Sequence, residues 1–175
     1  MVVTIYADGS RHKDGSISWG FVVTKTIKDV DIGPGRNIRN LNLASRTKTV
    51  TRVVHREYGN YTHGSSNMAE YMGVVLAMDW ALKNCSGCDV EINTDSDVLL
   101  KQISGDNKCR KSDIMNWKNI LLKQISVADR VFTGFTMSKV DSKDNKAHGI
   151  WLERLAHEVV VSEVPKSTLE KIEEA

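Results

Sequence analysis

The fold is decided near the start of the chain, by residues 2–23 with the sequence VVTIYADGSRHKDGSISWGFVV. Residues 2–7 alternate apolar and polar side chains, and Asp8-Gly9 follows as a turn signal, so we predict a first strand that ends there. Residues 17–23 predict a second strand, and the short connection favours antiparallel pairing of the two. The chain therefore begins with an antiparallel sheet.

The rest of the chain alternates helices and strands. Apolar residues at 67–83 recur every three or four positions, which is the period of an amphipathic helix. The other predicted elements are strands at 51–58, 89–94 and 131–140, helices at 96–103, 114–125 and 146–161, and, at 25–49, a long loop or an irregular hairpin extension. This order predicts the α/β class: a mixed five-stranded sheet, three antiparallel strands and then parallel ones, with helices on both faces.

The composition is that of an ordinary globular domain. The chain has 175 residues, 41% hydrophobic and 26% charged, which excludes a short disulfide scaffold and a disordered chain. The net charge is only +2, so affinity for nucleic acid must come from a local patch. Residues 25–63 carry eight Lys and Arg against three Asp and Glu, a net charge of +5, and are the candidate for that patch.

The lack of a recognisable targeting signal and the use of cysteine predict a cytoplasmic protein. The N-terminus lacks the pattern of a signal peptide, and no apolar run reaches the length of about 18 residues that a membrane span needs. The three cysteines, an odd number, fit a reducing compartment. Cys85 and Cys88 have the spacing of a redox or half-zinc motif, but no second pair accompanies them, so a plain loop is the alternative.

Three carboxylates are candidates for a common site. Asp8 ends the first strand, Glu70 lies in the first turn of the long helix, and Asp95 ends the fourth strand. If the first and fourth strands are parallel neighbours, their carboxyl ends meet at the edge where an open α/β sheet places its ligand crevice. Three carboxylates gathered there repel one another unless divalent cations lie between them.

Each carboxylate also has a local explanation. Asp8 fits an ordinary turn, Glu70 fits a capping box with Asn67, and Asp95 fits the N-cap of the next helix. Glu70, however, shares its helical face with three apolar residues, and a charge there requires a cationic neighbour. Those residues are Val74, Ala77 and Ala81.

An ordered set of motifs gives the chain a family resemblance. They are YADGS at 6–10, SWGFVV at 18–23, SSNMAEYMGVVLAMDWAL at 65–82, INTDSDVLLKQI at 92–103 and DNKAHGIWLERLAHE at 144–158. In order and spacing, the chain resembles type 1 ribonuclease H over about residues 1–160. The resemblance implies the ribonuclease H fold, two Mg²⁺ or Mn²⁺ ions, and cleavage of the RNA strand of an RNA–DNA hybrid, with no small organic cofactor and no membrane partner.

The resemblance also assigns roles to residues. It implies that Asp8 bridges the two ions, that Asp95 lies on the nucleophile side, and that Glu70 lies on the leaving-group side near the 2′-hydroxyl. The substrate contacts that position suggests are Gly9, Ser10, Ser66, Asn67 and Ser96.

The chain departs from the family pattern at the fourth acidic residue, which usually follows an alanine. Here Ala147 is followed by His148, so the fourth ligand is either a histidine or missing. Imidazole suits manganese better than magnesium, and Holliday-junction resolvases of the same superfamily are similar in using a histidine there. The alternative is a solvent-facing His148, with Asp141 or Asp144 doing the acidic work.

Charge suggests where a hybrid is held. A domain over residues 1–162 contains a basic insertion at about 25–50, and residues 163–175 form a charged tail. Many relatives carry a basic, tryptophan-rich handle, of which only Lys108, Arg110, Lys111 and Trp117 remain here. We expect Arg46, Lys48 and Arg52 of the insertion to contact the substrate instead. The four tryptophans, Trp19, Trp80, Trp117 and Trp151, lie on apolar faces and are predicted core residues.

Three hypotheses for function follow from these patterns. The first is an active ribonuclease H with catalytic and metal-binding Asp8, Glu70, Asp95 and His148. The second is a catalytically silent nucleic-acid-binding module that keeps the fold. The third is a related nuclease acting on DNA junctions, for which His148 is the hint.

Overall fold

The computed structural model describes residues 1–31 and 47–152. The strands are β1 (Val2–Arg11), β2 (Ile17–Asp31), β3 (Thr47–Tyr61), β4 (Asp89–Thr94) and β5 (Gly134–Lys139). The helices are α1 (Ser66–Asn84), α2 (Asp97–Ser104) and α3 (Ser112–Val131), and a 3-10 turn spans Ser142–Asp144. No helix in the described ranges combines the length and the apolar character needed to cross a membrane.

The strands form one mixed sheet in the order β3-β2-β1-β4-β5. The pairs β1–β2 and β2–β3 are antiparallel, whereas β1–β4 and β4–β5 are parallel. This arrangement confirms the predicted sheet. Because Ala7 of β1 lies opposite Thr94 of β4, Asp8 and Asp95, the next residue of each segment, come to the same edge.

One face of the sheet carries the main core. Val3, Ile5 and Ala7 of β1 point into it and are fully buried. Helix α1 packs on this face and is itself covered by α3, which explains why α1 is apolar on nearly all sides. The buried residues of α3 are Ile114, Trp117, Leu121 and Ala128.

Two glycines let α1 approach β1 at the level of Asp8. A Cβ on Gly9 would lie 2.2 Å from the backbone carbon of Ala69, and one on Gly73 would lie 2.7 Å from the backbone oxygen of Asp8. Both contacts are with backbone, which has no flexible end to move aside. Glycine at these positions therefore brings Glu70 and Asp8 into one neighbourhood.

Gly73→Ala is expected to destabilise the protein by about 1–3 kcal/mol, the usual cost of forcing an extra carbon into packed structure. The effect opposes helix propensity, because alanine is the better helix former by about 1 kcal/mol. Urea unfolding would measure it. Ser126→Ala, at an exposed interior position of α3, serves as the control and should change stability by less than about 0.5 kcal/mol. An unchanged or raised stability of Gly73→Ala would contradict the close packing.

The opposite face holds a smaller cluster. Ala147, Ile150 and Trp151 pack on Val22 of β2, with Tyr6 and Tyr58 at the margin. Ile150 fills the space over Gly20, where a Cβ would lie 2.4 Å from its Cγ2 atom. The segment that carries His148 is therefore anchored to the sheet by apolar contacts on both sides of the histidine.

The predicted last helix is wrong over its first residues. Residues 146–151 form turns, closed by bonds such as the one from the Ile150 amide to the Ala147 carbonyl, 3.1 Å. Gly149 has a φ of 69°, in the left-handed region that glycine adopts without strain. From residue 153 onward, the predicted helix and the predicted tail lie outside the described residues.

Other element boundaries also differ from the predicted ones. Strand β1 continues through Gly9 to Arg11 instead of ending at Asp8, and α3 runs through to Val131, so β5 begins only at Gly134. The stretch predicted as a loop or an irregular hairpin extension is a hairpin extension over Lys25–Asp31 and Thr47–Val50, with register shifts at Val23/Thr24 and Ile27/Val30. Residues 32–46 lie outside the described part.

The Cys85-Ser86-Gly87-Cys88 segment is a turn. The amide of Cys88 donates to the carbonyl of Cys85 at 3.1 Å, and Gly87 has a φ of 71°. All three cysteines are free, and the described residues near Cys85 and Cys88 supply no further ligands for a metal. The plain-loop alternative therefore describes this segment.

Three of the four tryptophans predicted to be core residues are buried, and the fourth is partly exposed. Trp19, Trp117 and Trp151 are buried. Trp80 is half-buried and stacks on His55, with ring centroids 5.1 Å apart.

Candidate active site

Asp8 is a buried carboxylate inside a strand. Its side chain is about 5% exposed. Oδ1 accepts a hydrogen bond from the Gly9 amide at 2.8 Å, and Oδ2 lies 3.0 Å from Nδ1 of His148. Because β1 continues past Asp8, the residue does not form the ordinary turn that its sequence allows, and its burial calls for another explanation.

Asp95 is held from the segment that follows β5. Its Oδ2 accepts from the Ser142 hydroxyl at 2.5 Å, and its Oδ1 accepts from the Asn145 amide at 3.0 Å. The N-cap of α2 is Ser96, whose hydroxyl accepts from the Leu99 amide at 3.4 Å. The capping role for Asp95 is therefore wrong, and both of its oxygens face the C-terminal segment.

Glu70 lies in the second turn of α1, not the first. The N-cap is Ser65, which accepts from the Met68 amide at 3.2 Å, so a capping box between Asn67 and Glu70 does not form. The Oε2 atom of Glu70 is buried and has no hydrogen-bond partner. A buried carboxylate oxygen without a donor is costly unless a cation or a proton neutralises it.

Like charges act on these carboxyls. Burial, reinforced by the charges of Asp8 and Asp95, raises the pKa of Glu70 to about 9. Burial and the charge of Asp95 also raise the pKa of Asp8, opposed by the Gly9 amide and by His148. No described lysine or arginine pairs with Glu70, so the cationic neighbour expected from the sequence is not a side chain in this part of the protein.

His148 completes a group of three possible ligands. Its side chain is 61% exposed, yet it contacts the buried Asp8. One ligand atom from each of Asp8, Asp95 and His148 lies within 4.8 Å of the other two. Asp141 is exposed and pairs with Lys143 at 4.0 Å, and Asp144 is also exposed. The arrangement favours His148 over these two aspartates as the fourth member of the site.

The donor set fits a divalent ion. Two adjacent ligands of an octahedral ion with bonds of about 2.1 Å are about 3.0 Å apart, which matches the separation of Asp8 Oδ2 and His148 Nδ1. Carboxylate oxygens suit Mg²⁺ and Mn²⁺, and an imidazole nitrogen shifts the preference toward Mn²⁺. The unpartnered oxygen of Glu70 points to the same conclusion, because an ion would supply its missing partner.

The small residues predicted to contact the substrate lie around this edge. Gly9 is buried against α1, and Ser10 lies opposite Ser18 two residues beyond Asp8. Ser66 and Asn67 open α1, and Ser96 caps α2 next to Asp95. The structure therefore brings these five positions to the carboxylate edge.

The basic residues of the insertion are elsewhere. Arg52 lies opposite Lys25, which in turn lies opposite Val3 of β1. Val3 precedes Asp8 by five residues, so Arg52 is about 17 Å from the carboxylate edge along the strand direction. Lys48 is farther out on β3, its side chain is not described, and Arg46 lies outside the described residues. The structure does not bring Arg52 to the site.

Sequence reasoning missed Ser142 and Asn145. Each donates to Asp95 from about 50 positions later in the chain. No spacing rule connects residues so far apart, and the only local signal was a run of polar residues before His148.

Known proteins resemble this chain in fold but not detectably in sequence. No family model matches the chain, and no curated protein matches it. Solved structures do. The N-terminal RNase H domain of Rv2228c from Mycobacterium tuberculosis has a TM-score of 0.58 at 20% identity, with 82% of this chain and 85% of that chain covered. RNase H1 from Halobacterium salinarum has a TM-score of 0.60 at 17% identity, with 84% of this chain and 91% of that chain covered. LC11-RNase H1, solved in complex with an RNA/DNA hybrid, has a TM-score of 0.55 at 16% identity, with 82% of this chain and 88% of that chain covered.

These likenesses extend over most of each chain. They establish that this chain has the ribonuclease H fold, in agreement with the sheet order described above.

Proposed function

We propose that this chain, which has the ribonuclease H fold, is a metal-dependent endonuclease that hydrolyses the RNA strand of RNA–DNA hybrids. The observation that carries the proposal is the convergence of Asp8, Asp95 and His148 within 4.8 Å, beside a Glu70 oxygen that has no partner. One similar structure was solved with an RNA/DNA hybrid, which supports the choice of substrate. A cytoplasmic location, which the free cysteines suggest, is part of the same proposal.

Asp8, Glu70, Asp95 and His148 would hold the metal. Two bound Mg²⁺ or Mn²⁺ ions would make the attacking water more acidic and stabilise charge on the leaving oxygen. Asp8 is suited to bridging, because one of its carboxylate oxygens lies within 4.8 Å of ligand atoms of both Asp95 and His148, and its charge also acts on Glu70. Glu70 enters as a proton-bearing carboxyl in the metal-free protein and must lose that proton to act as a ligand.

The surrounding residues would hold the substrate. Ser10, Ser66, Asn67 and Ser96 would contact a scissile phosphate bound at the carboxylate edge, and Gly9 would contribute through its backbone, because α1 fills the space over it. Arg52 would act at a distance, since about 17 Å along the strand corresponds to several base pairs of a bound duplex. Arg46 and Lys48 belong to the same proposed distal contact.

Cleavage assays test the function directly. Labelled RNA–DNA hybrid, double-stranded RNA, duplex DNA and a four-way DNA junction are each incubated with the protein in Mg²⁺ or in Mn²⁺. We expect internal cleavage of the RNA strand of the hybrid and no cleavage of the other three. Asp95→Asn should be inactive because it weakens the ligand set, and Asp97→Asn, which removes an exposed carboxylate two residues away, should remain active.

The other two hypotheses give different results in this assay. Binding of the hybrid without cleavage in either ion would indicate the silent module. Cleavage confined to the junction would indicate the junction nuclease, which the histidine at position 148 favours. Either result would overturn the proposed ribonuclease H activity.

A further inference from the structure

Asn145 connects the parts of the candidate site. The residue is 4% exposed, and its side-chain amide bonds to three partners. Nδ2 donates to the Ala7 carbonyl and to Asp95 Oδ1, each at 3.0 Å. Oδ1 accepts from the Ala147 amide at 3.1 Å. Strand β1, the Asp95 carboxylate and the turn that carries His148 therefore meet on one side chain.

The amide has only one possible orientation. If its oxygen and nitrogen exchanged places, the oxygen would face the Ala7 carbonyl and the Asp95 carboxylate, and the NH₂ group would face the Ala147 amide. All three hydrogen bonds would then be lost. The side chain is therefore fixed, and it fixes the rotation of the Asp95 carboxylate.

The main chain of Asn145 also determines the position of His148. Its amide donates to the Ser142 carbonyl at 3.3 Å, which closes the 3-10 turn, and to the Asp141 carbonyl at 3.1 Å, and its carbonyl accepts from the His148 amide at 2.9 Å. A shift of Asn145 would move the histidine as well as release Asp95. The two candidate ligands are thus coupled through one buried residue.

We propose that Asn145 is a positioning residue that sets the affinity of the site for divalent ions, by holding Asp95 and the His148 turn in the arrangement that binds them. The inference rests on the proposed function only for the identity of the ion class. Partners of metal ligands typically change metal affinity by about 10–100-fold when they are removed. Asn145 acts on two ligands, so we expect an effect within this range.

Ser142 provides a matched comparison. It donates to the other oxygen of Asp95, but it is exposed, and water can replace its hydroxyl. Within the described residues, the Ser142 hydroxyl makes no hydrogen bond to the turn that carries His148; only its backbone carbonyl accepts from the Asn145 amide, and Ser142→Ala keeps that bond. Removal of Ser142 should therefore affect metal affinity much less than removal of the Asn145 amide.

The experiment measures Mn²⁺ affinity by calorimetry on the full chain. Asn145→Ser keeps an oxygen that can accept from the Ala147 amide but is too short to reach Asp95. We expect Asn145→Ser to weaken Mn²⁺ binding by about 10–100-fold and Ser142→Ala by less than about 3-fold. In a His148→Ala background, Asn145→Ser should have a clearly smaller effect, because one of the two ligands that it positions is already absent.

A purely structural role gives other results. Asn145→Ser would then lower the melting temperature while the folded variant binds Mn²⁺ within about 2-fold of the parent, and this outcome overturns the proposal. So does a parent chain that binds no Mn²⁺. If the parent binds Mn²⁺ but does not cleave the hybrid, the proposed ribonuclease H activity fails and the role of Asn145 is still decided by the affinities.

A second measurement needs no substitution. The side-chain amide signals of Asn145, observed by NMR, should stay slow to exchange with solvent in the metal-free protein and after Mg²⁺ is added, because the residue holds the ligands in both states. Signals that become those of an exposed amide on Mg²⁺ addition would overturn the proposal even if Asn145→Ser does not fold.

Discussion

Replacing His148 by alanine is expected to reduce Mn²⁺-supported cleavage of an RNA–DNA hybrid by at least about 100-fold, while the affinity for the hybrid stays unchanged. His148 supplies one of the three ligand atoms within 4.8 Å, and its Nδ1 is 3.0 Å from Asp8. Whether it binds an ion or transfers a proton, its loss removes a group that acts on the reacting centre. Single-turnover cleavage and a separate binding titration measure the two quantities.

A second substitution distinguishes the two roles. His148→Asp replaces the nitrogen donor by an oxygen donor, which Mg²⁺ prefers. If His148 is a metal ligand, we expect this variant to recover activity and to show a higher ratio of Mg²⁺- to Mn²⁺-supported rates than the parent. Recovery in neither ion would favour proton transfer.

The control is another histidine. His55 stacks on Trp80 and pairs with Glu57, away from the carboxylate edge, so His55→Ala should retain cleavage. Unchanged turnover in His148→Ala would show that the histidine is dispensable and that its contact with Asp8 has no catalytic meaning.

The sequence predicted those parts of the fold that depend on local patterns. Strand β4 was predicted with its observed bounds, and the helix predicted at 96–103 is α2, which ends at Ser104 before Gly105 with its φ of 92°. The meeting of Asp8 and Asp95 followed from one topological inference, the parallel pairing of β1 and β4, and the structure shows that pairing. Fold and carboxylate edge were therefore accessible from periodicity, turn signals and strand order.

The parts that were not predicted depend on contacts between distant residues. The register shifts in the hairpin break the two-residue alternation that identifies strands, so the sequence could not distinguish a loop from an irregular hairpin extension. The turn at 146–151 follows apolar contacts of Ile150 with Gly20 of a distant strand, whereas its sequence has helical periodicity. Asn145 belongs to this class, since its partners Ala7 and Asp95 are 138 and 50 positions away.

Glu70→Gln is expected to stabilise the metal-free protein increasingly as the pH rises. The pKa of Glu70 is raised from 4.5 to about 9 in the folded chain, so the folded state favours the neutral carboxyl more than the unfolded state does. That contribution is fully present below about pH 4.5 and is lost as the pH rises through about 9. The loss is about 1.4 kcal/mol per pH unit between these limits.

Glutamine keeps the size of the side chain and is neutral at every pH. Its advantage over glutamate should therefore grow by about 4 kcal/mol between pH 5 and pH 8. Urea unfolding in a chelator, at several pH values, measures the difference. Glu91→Gln, at an exposed position on β4, is the control and should leave the slope of the parent unchanged. Parallel pH profiles for the parent and Glu70→Gln would show that Glu70 is not the source of the instability.

Divalent ions should reverse this penalty, and the reversal links stability to the proposed site. A ligand carboxylate must be ionised, so Mn²⁺ binding at pH 7 should release a proton from Glu70, seen as a dependence of the binding enthalpy on the ionisation enthalpy of the buffer. Glu70→Gln has no such proton to lose, and its release should be smaller by up to about one proton. At neutral pH the folded chain must keep a proton on Glu70 that the unfolded chain loses, because Glu70 is buried beside Asp8 and Asp95. The parent is therefore less stable than the glutamine variant. Only a ligand that prefers the ionised cluster compensates for that cost, and a divalent cation between the carboxylates is such a ligand.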